Sequence, residues 1–107
     1  MPLQVSTFSI QLIHTLRPLV PRIKARDRAL ADQIVRAASS IALNIGEAER
    51  SDPGNKRARF FTAAGSAGET LSALRVAEGW GYIAPTDASF AEAQLNRILA
   101  ILWRLTH

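Results

Sequence analysis

The sequence predicts an all-α protein, an antiparallel up-down four-helix bundle, from three observations. Its 107 residues include eighteen alanines and twelve leucines, which favour helices. No stretch alternates apolar and polar residues for long enough to indicate a strand. Proline and glycine fall in a few clusters that divide the chain into four segments with helical periodicity and short connections. We expect a single domain over residues 1–107, with helices over about residues 6–24, 27–50, 53–78 and 87–105.

Local signals mark the ends of these helices. Pro18 and Pro21 each remove a backbone donor, so the first helix should kink or restart there. Asp27 is placed to cap the second helix. Asp52 and Pro53 suit the cap and the first position of the third helix.

The end of the third helix and the start of the fourth are marked in the same way. Gly79 and Gly81 should end the third helix. Thr86 or Asp87 then stands where a cap of the fourth helix is expected.

The second helix carries a wider apolar surface than one small bundle requires. Its seam, at helical spacing, consists of Leu30, Ile34, Ala38, Ile41, Ile45 and Ala48. Ala31, Val35, Ala42 and Ala37 widen the apolar arc to about 160°, against roughly 100° for a surface helix. Leu43 lies outside even that arc. Two interpretations are open: alanine fills neutral surface positions, or the surplus surface packs against a second copy of the chain.

The third helix favours self-association more strongly. It carries only three charged side chains between residues 60 and 79. Its main seam consists of Phe60, Ala64, Ala67, Leu71 and Leu74. Gly65, Gly68 and Ser72 lie to one side, where small residues allow another backbone to approach closely. A helix so poor in charge should be covered around most of its circumference, which an oligomer achieves more easily than one small bundle.

Two stretches of these helices resemble a known bacterial family. They are QIVRAASSIALNIGE, from Gln33 to Glu47, and FFTAAGSAGE, from Phe60 to Glu69. Together they are similar to the four helix bundle protein family, which includes the ribosomal-RNA intervening-sequence proteins. The accessory variability proteins of diversity-generating retroelements resemble it more distantly. The matching core covers about half of the chain, from Asp32 to Ile83.

The resemblance implies an up-down bundle that assembles into a ring, with a pentamer favoured. The retroelement relatives bind nucleic acid and a reverse transcriptase through a basic ring, and by analogy RNA, DNA or such an enzyme is a candidate partner here. Since a fold does not determine a function, that analogy is a hypothesis.

The polar residues of the resembling stretches form a second group. They are Gln33, Ser40, Asn44, Glu47, Ser66 and Glu69. We expect Glu69 to be a structural carboxylate held by donors from the second helix, with Asn44 as the first choice and Arg36 or Arg75 as further partners. The alternative is a small enzyme that uses Glu69 with Ser66 or Asn44 in a cavity of the bundle.

The charge distribution is the most direct functional signal. Residues 1–59 carry a net charge of +5 and residues 60–107 a net charge of −1, within a total of +4. The excess forms two clusters: Arg17, Arg22, Lys24, Arg26 and Arg28, then Arg50, Lys56, Arg57 and Arg59. An up-down bundle places these clusters at opposite ends, where they suit phosphate backbones without reading sequence. The alternative is that these arginines only keep the helix ends soluble.

Composition argues against several other functions. The chain has no cysteine and only two histidines, His14 and His107, so we expect no metal site, no cofactor and no catalytic triad. It has no apolar run of membrane-spanning length and no signal peptide pattern, so we expect a cytoplasmic protein without a membrane partner. Aromatic residues are few, and we expect Trp80, Tyr82 and Trp103 to pack near helix ends. The function predicted is a non-enzymatic oligomeric module that binds nucleic acid or a nucleic-acid enzyme; a purely structural self-assembling protein is the other possibility.

Overall fold

The computed structural model describes residues 4–107, so the first three residues of the predicted domain lie outside it. Within this range the chain forms five α-helices and no strand. They are α1 (Gln4–Leu16), α2 (Leu19–Lys24), α3 (Arg28–Glu49), α4 (Pro53–Gly79) and α5 (Pro85–Thr106). The prediction of an all-α chain is confirmed. The helix predicted over residues 6–24 corresponds to two helices, α1 and α2.

The division between α1 and α2 lies at Arg17 and Pro18. Pro18 has no N–H to donate to the carbonyl four residues earlier, and its ring crowds the preceding turn. Leu16 before the break and Ile23 after it are both buried, so the chain keeps its apolar side toward the core. The restart predicted at the prolines is confirmed at Pro18, while Pro21 is accommodated inside the short α2.

Aspartates cap the starts of α3 and α4, as predicted. Asp27 Oδ1 accepts a hydrogen bond of 3.0 Å from the backbone N–H of Leu30 at the start of α3. At the start of α4, Asp52 Oδ1 accepts one of 3.0 Å from the backbone N–H of Asn55, and Oδ2 accepts one of 2.8 Å from the Asn55 amide. These bonds satisfy donors that have no partner inside the helix. Both bonds lower the pKa of Asp52 below its ordinary value, the bond from the backbone N–H of Asn55 more than the bond from its side-chain amide.

The turn after α4 is closed by two backbone bonds around Gly81. Gly81 has φ +77°, a left-handed conformation that side chains with a Cβ rarely adopt. Its N–H donates to the Glu78 carbonyl, and the Tyr82 N–H donates to the Ala77 carbonyl, each at 2.9 Å. This is the Schellman arrangement, so the predicted stop is confirmed and Gly81 is the residue that ends the helix.

The start of α5 corrects the prediction. The helix begins at Pro85 rather than at residue 87, and neither Thr86 nor Asp87 caps it; the cap position is Ala84, which makes no side-chain bond. The fixed φ of a proline suits the first turn of a helix, so α5 begins at Pro85 without a side-chain cap. Asp87 instead accepts a hydrogen bond from Arg22.

The helices close around one hydrophobic core. α3 packs on α4, α4 on α5, and α1 on both α3 and α5, while α2 extends the contact with α3. Short turns join α3 to α4 and α4 to α5, so these neighbours run antiparallel. The predicted seam of α3 is buried throughout: Leu30, Ile34, Ala38, Ile41, Ile45 and Ala48. The bundle is 42 Å long and about 20 Å across, which places its two ends far apart.

Candidate nucleic-acid interface

The second basic cluster lies where α3 ends, α4 begins and α5 ends. We call this region the Arg57 end and define it by Arg50, Lys56, Arg57, Arg59 and the last turn of α5. Arg57 donates two hydrogen bonds to the carbonyl of Thr106, from Nε at 3.1 Å and from Nη2 at 2.9 Å. The last carbonyls of a helix have no partner within it, so a guanidinium from α4 completes the end of α5.

Three aromatic rings lie beside this guanidinium, and we call them the aromatic cluster: Phe61, Trp103 and His107. The Trp103 and His107 rings are stacked, with centroids 3.4 Å apart and an interplanar angle of 19°. Phe61 meets His107 edge to face, with centroids 5.8 Å apart. The Arg57 guanidinium carbon lies 5.0 Å from the centroid of Phe61. Contacts of this kind between a cation and an aromatic face are attractive.

Sequence reasoning missed the aromatic cluster. Trp103 was expected to pack near a helix end; it lies at one, but 61% of its surface is exposed. The physical reason is that the preceding residue, Leu102, lies on the buried seam of α5. Trp103 is rotated by about 100° from Leu102 around the helix axis and therefore points away from that seam. The available signal was the spacing of four residues between Trp103 and His107, which places both on one face.

The other two predicted ring positions also differ from each other. Trp80 follows α4 and is 70% exposed, so the expectation that it packs is wrong. Tyr82 is half-buried and packs against the core, as expected.

A polar network links α3 to α4, and Arg59 of the Arg57 end contacts it. The hydroxyls of Ser40 and Ser66 are 2.8 Å apart. The Asn44 amide donates to the Ser40 carbonyl at 2.9 Å and to its hydroxyl at 3.1 Å. Arg59 Nη1 donates to Asn44 Oδ1 at a longer 3.4 Å. Three members of the predicted polar group therefore meet, and their role is to join two helices.

The other members of that group do not join the network. Glu69 is exposed and forms no hydrogen bond with Asn44 among the described residues, so the prediction of a structural carboxylate held by Asn44 is wrong. Gln33 is exposed, and the exposed Glu47 lies 3.5 Å from Arg50. The reason is the rotation of α4 about its axis. Ser66 is half-buried and Thr70 is buried, whereas Glu69, which lies three residues after Ser66 and next to Thr70, points to the outer side of α4.

The proposed partners of Glu69 are engaged or exposed elsewhere. Arg75 donates a hydrogen bond of 2.7 Å to Glu92 of α5. This hydrogen bond, and then the negative charge of the carboxylate, raise the pKa of Arg75. Arg36 is exposed on α3. Ser66, Asn44 and Glu69 therefore do not form the catalytic arrangement that the enzyme alternative requires.

The first basic cluster lies at the other end of the bundle. Arg22 pairs with Asp87, in the first turn of α5, at 3.1 Å. Arg26 lies over the ring of Tyr82, 5.5 Å from its centroid. The remaining members are exposed and form no ion pair with a carboxylate within residues 4–107; they are Arg17, Lys24 and Arg28.

The two clusters are separated by the length of α5. Arg22 contacts the first turn of that helix, and Arg57 contacts the carbonyl of its last residue. A helix of 22 residues is about 33 Å long. The basic residues therefore occupy opposite ends of the bundle.

Residues 4–107 contain no group of three or more histidine or acidic side chains placed to hold a metal ion. None of the five described helices combines the length and the apolarity that a membrane crossing requires.

Comparison with known proteins identifies the family. The family model described as 23S rRNA-intervening sequence protein matches residues 3–104. The chain belongs to this family. The resemblance found in the stretches from Gln33 to Glu47 and from Phe60 to Glu69 is confirmed, and the family match extends well beyond them on both sides. No curated protein matches the chain.

A solved structure shares the fold of this member of the 23S rRNA-intervening sequence protein family. It is the crystal structure of a protein of unknown function from the S23 ribosomal protein family of Bacteroides thetaiotaomicron. The match has a TM-score of 0.88 at 21% identity and covers 95% of this chain and 97% of the other. At that identity the likeness establishes the helical fold and carries no activity across.

Proposed function

We propose that this protein is a non-enzymatic, self-assembling module that binds nucleic acid through its two basic ends without reading base sequence. The observation that carries the proposal is the placement of nine basic residues at opposite ends of one narrow bundle. Phosphate groups are the natural partners of such clusters, because each neutralised phosphate releases counterions. The family's description names a 23S rRNA-intervening sequence, so RNA is the first nucleic acid to test. A reverse transcriptase as partner stays a prediction from the resemblance.

Uncovered apolar side chains support self-assembly. On α3, Leu43 is 68% exposed and Val35 is 46% exposed, both outside the buried seam. On α4, Val76 is also exposed. Burial of apolar area against a second copy would remove this surface from water at about 25 cal/mol per Å².

Two glycines of α4, the exposed Gly65 and the half-buried Gly68, support the same proposal. A Cβ added at Gly65 or Gly68 would meet nothing within 4 Å, so packing within the described chain does not require glycine there. Each glycine in a helix costs about 1 kcal/mol relative to alanine. Close approach of a second backbone explains why two occur one turn apart. A ring, with a pentamer as first choice from the resemblance, would then collect each basic cluster into a circle of charge.

Light scattering after gel filtration tests the assembly. We expect a mass that is a multiple of 11.7 kDa, with five copies as first choice, and a concentration-independent monomer would contradict it. Leu43→Glu should weaken the assembly because it buries a charge in the interface. Ala29→Glu, also at an exposed position of α3, is the matched control and should leave the mass unchanged.

Salt-dependent binding tests the nucleic-acid proposal. We expect weak binding to RNA and DNA of any sequence, with a log–log salt slope near −0.9 for each phosphate contact on duplex DNA. Lys56→Ala with Arg59→Ala should lower affinity for all sequences about equally. The control Arg36→Ala with Arg97→Ala removes the same charge from exposed positions within α3 and α5 and should change affinity less. Absence of binding to any nucleic acid at about 50 mM salt would overturn the proposal.

A further inference from the structure

We infer that the Arg57 end binds single-stranded nucleic acid, with unpaired bases stacking on Trp103 and Phe61; this rests on the nucleic-acid binding proposed above and specifies its substrate class and site. Single strands offer free base faces, whereas the bases of a duplex are already stacked and paired. Sites that bind single strands without sequence preference combine exposed aromatic rings with nearby cations. The Arg57 end has both.

The aromatic cluster presents a ring that is already held in place. His107 covers one face of the Trp103 indole at a centroid distance of 3.4 Å. Trp103 is nevertheless 61% exposed, so its open area lies on the opposite face and the ring edge. The edge-to-face contact of Phe61 with His107 links the second exposed ring to the same stack. A ring ordered before binding loses little conformational freedom when a base stacks on it.

The cations of the Arg57 end are placed for the phosphates of such a strand. Arg57 lies over Phe61 and is fixed by its two bonds to the Thr106 carbonyl. Lys56 and Arg59 lie on the same first turns of α4, and the exposed Arg104 follows Trp103 in α5. Among the carboxylates at this end, Asp52 caps α4 and Glu47 pairs with Arg50, whereas the exposed Glu49 forms no ion pair within residues 4–107.

The opposite end has a single exposed indole without this arrangement. No ring contact of Trp80 occurs within residues 4–107, where the ring pairs are those of Phe61 and Trp103 with His107. Tyr82 is half-buried, with Arg26 over its ring. Trp80 therefore serves as an internal control for Trp103.

Two variants with one tryptophan each test the inference. Trp80→Phe leaves Trp103 as the only indole, and Trp103→Phe leaves Trp80. Each is titrated with a thymidine DNA oligomer of about 20 nucleotides, the matching uridine RNA and a DNA duplex of the same length, at about 50 mM salt. We expect the single strands to quench the emission of the Trp80→Phe variant and to leave that of Trp103→Phe nearly unchanged. This readout does not depend on truncating a side chain.

Affinity measurements give the second readout. Trp103→Ala should weaken binding of single strands about five- to a hundredfold and leave duplex affinity within about twofold. Circular dichroism melting confirms that the variant is folded. Duplex and single-strand binding with an unchanged ratio in Trp103→Ala, or quenching that follows Trp80, would overturn the inference and leave the proposed function standing. Absence of binding to all three probes would overturn both.

Discussion

Arg57 and Thr106 join the first turns of α4 to the last residue of α5 through two hydrogen bonds to one carbonyl, at 3.1 and 2.9 Å. The residues are 49 positions apart in the chain. One member of a basic cluster is thus also a structural element, because it satisfies an acceptor that α5 leaves open. Replacing Arg57 would remove a positive charge and this structural contact together. A binding experiment on the charge alone therefore uses Lys56 and Arg59 and leaves Arg57 unchanged.

Arg57→Ala should lower the free energy of unfolding by about 0.5–1.5 kcal/mol. The side chain is exposed, so solvent screening favours the lower part of this range. Amide exchange in the last turn of α5 should accelerate. Arg50→Ala is the control, because its exposed contact with Glu47 is 3.5 Å long, and it should change stability by less than about 0.5 kcal/mol. Equal effects of the two variants would contradict the prediction.

Gly81→Ala should destabilise the protein by about 1–2 kcal/mol, because a Cβ is unfavourable at φ +77°. Gly79 is the matched control two residues earlier, where the backbone is helical and an added Cβ meets nothing within 4 Å. Gly79→Ala should be neutral or stabilising by up to about 1 kcal/mol. Thermal denaturation of both variants checks the sign, and a neutral Gly81→Ala would refute the conformational argument.

Asp27→Ala should lower the free energy of unfolding by about 1 kcal/mol, because the N–H of Leu30 then loses its acceptor at the start of α3. Asp27→Ser keeps an oxygen that accepts the same bond and should retain most of the stability. Urea denaturation of the three proteins gives the comparison. If serine and alanine were equally destabilising, capping would not be the role of Asp27.

Asp52 should add stability that depends on pH. Its pKa in the folded protein is lowered from 3.8, chiefly by the backbone N–H of Asn55, so the folded state favours the ionised form. The contribution is therefore present above the unfolded value and is lost as pH falls through the lowered pKa. The difference in melting temperature between the wild type and Asp52→Asn should shrink below about pH 4. A difference that stays constant down to acid denaturation would contradict this assignment.

Glu69→Ala should change the free energy of unfolding by less than about 0.5 kcal/mol, because the carboxylate is exposed and holds no partner within residues 4–107. Leu74→Ala on the same helix should cost about 2–5 kcal/mol, since Leu74 is buried. Denaturation at low and high protein concentration separates effects on the chain from effects on an assembly. A large loss for Glu69→Ala would show that another copy covers this side chain.

Local patterns in the sequence determined most of the helical framework. The caps at Asp27 and Asp52 and the stop at Gly81 involve residues within three to five positions of each other, and the prolines act on their own turn. The seam of α3 follows from helical period alone. The start of α5 was placed two residues too late, because the prediction relied on a capping side chain at Thr86 or Asp87, whereas Pro85 begins the helix without one.

The tertiary structure decided which polar and aromatic side chains of different segments contact each other. The hydroxyls of Ser40 and Ser66 come from different helices, and the ring of Phe61 on α4 meets that of His107, the residue that follows α5. A pair of this kind depends on how each helix is rotated about its axis, and neighbouring residues point about 100° apart. Packing of the whole core sets that rotation. The sequence therefore predicted which helix carries Glu69, whereas only the folded chain shows that its side chain is exposed.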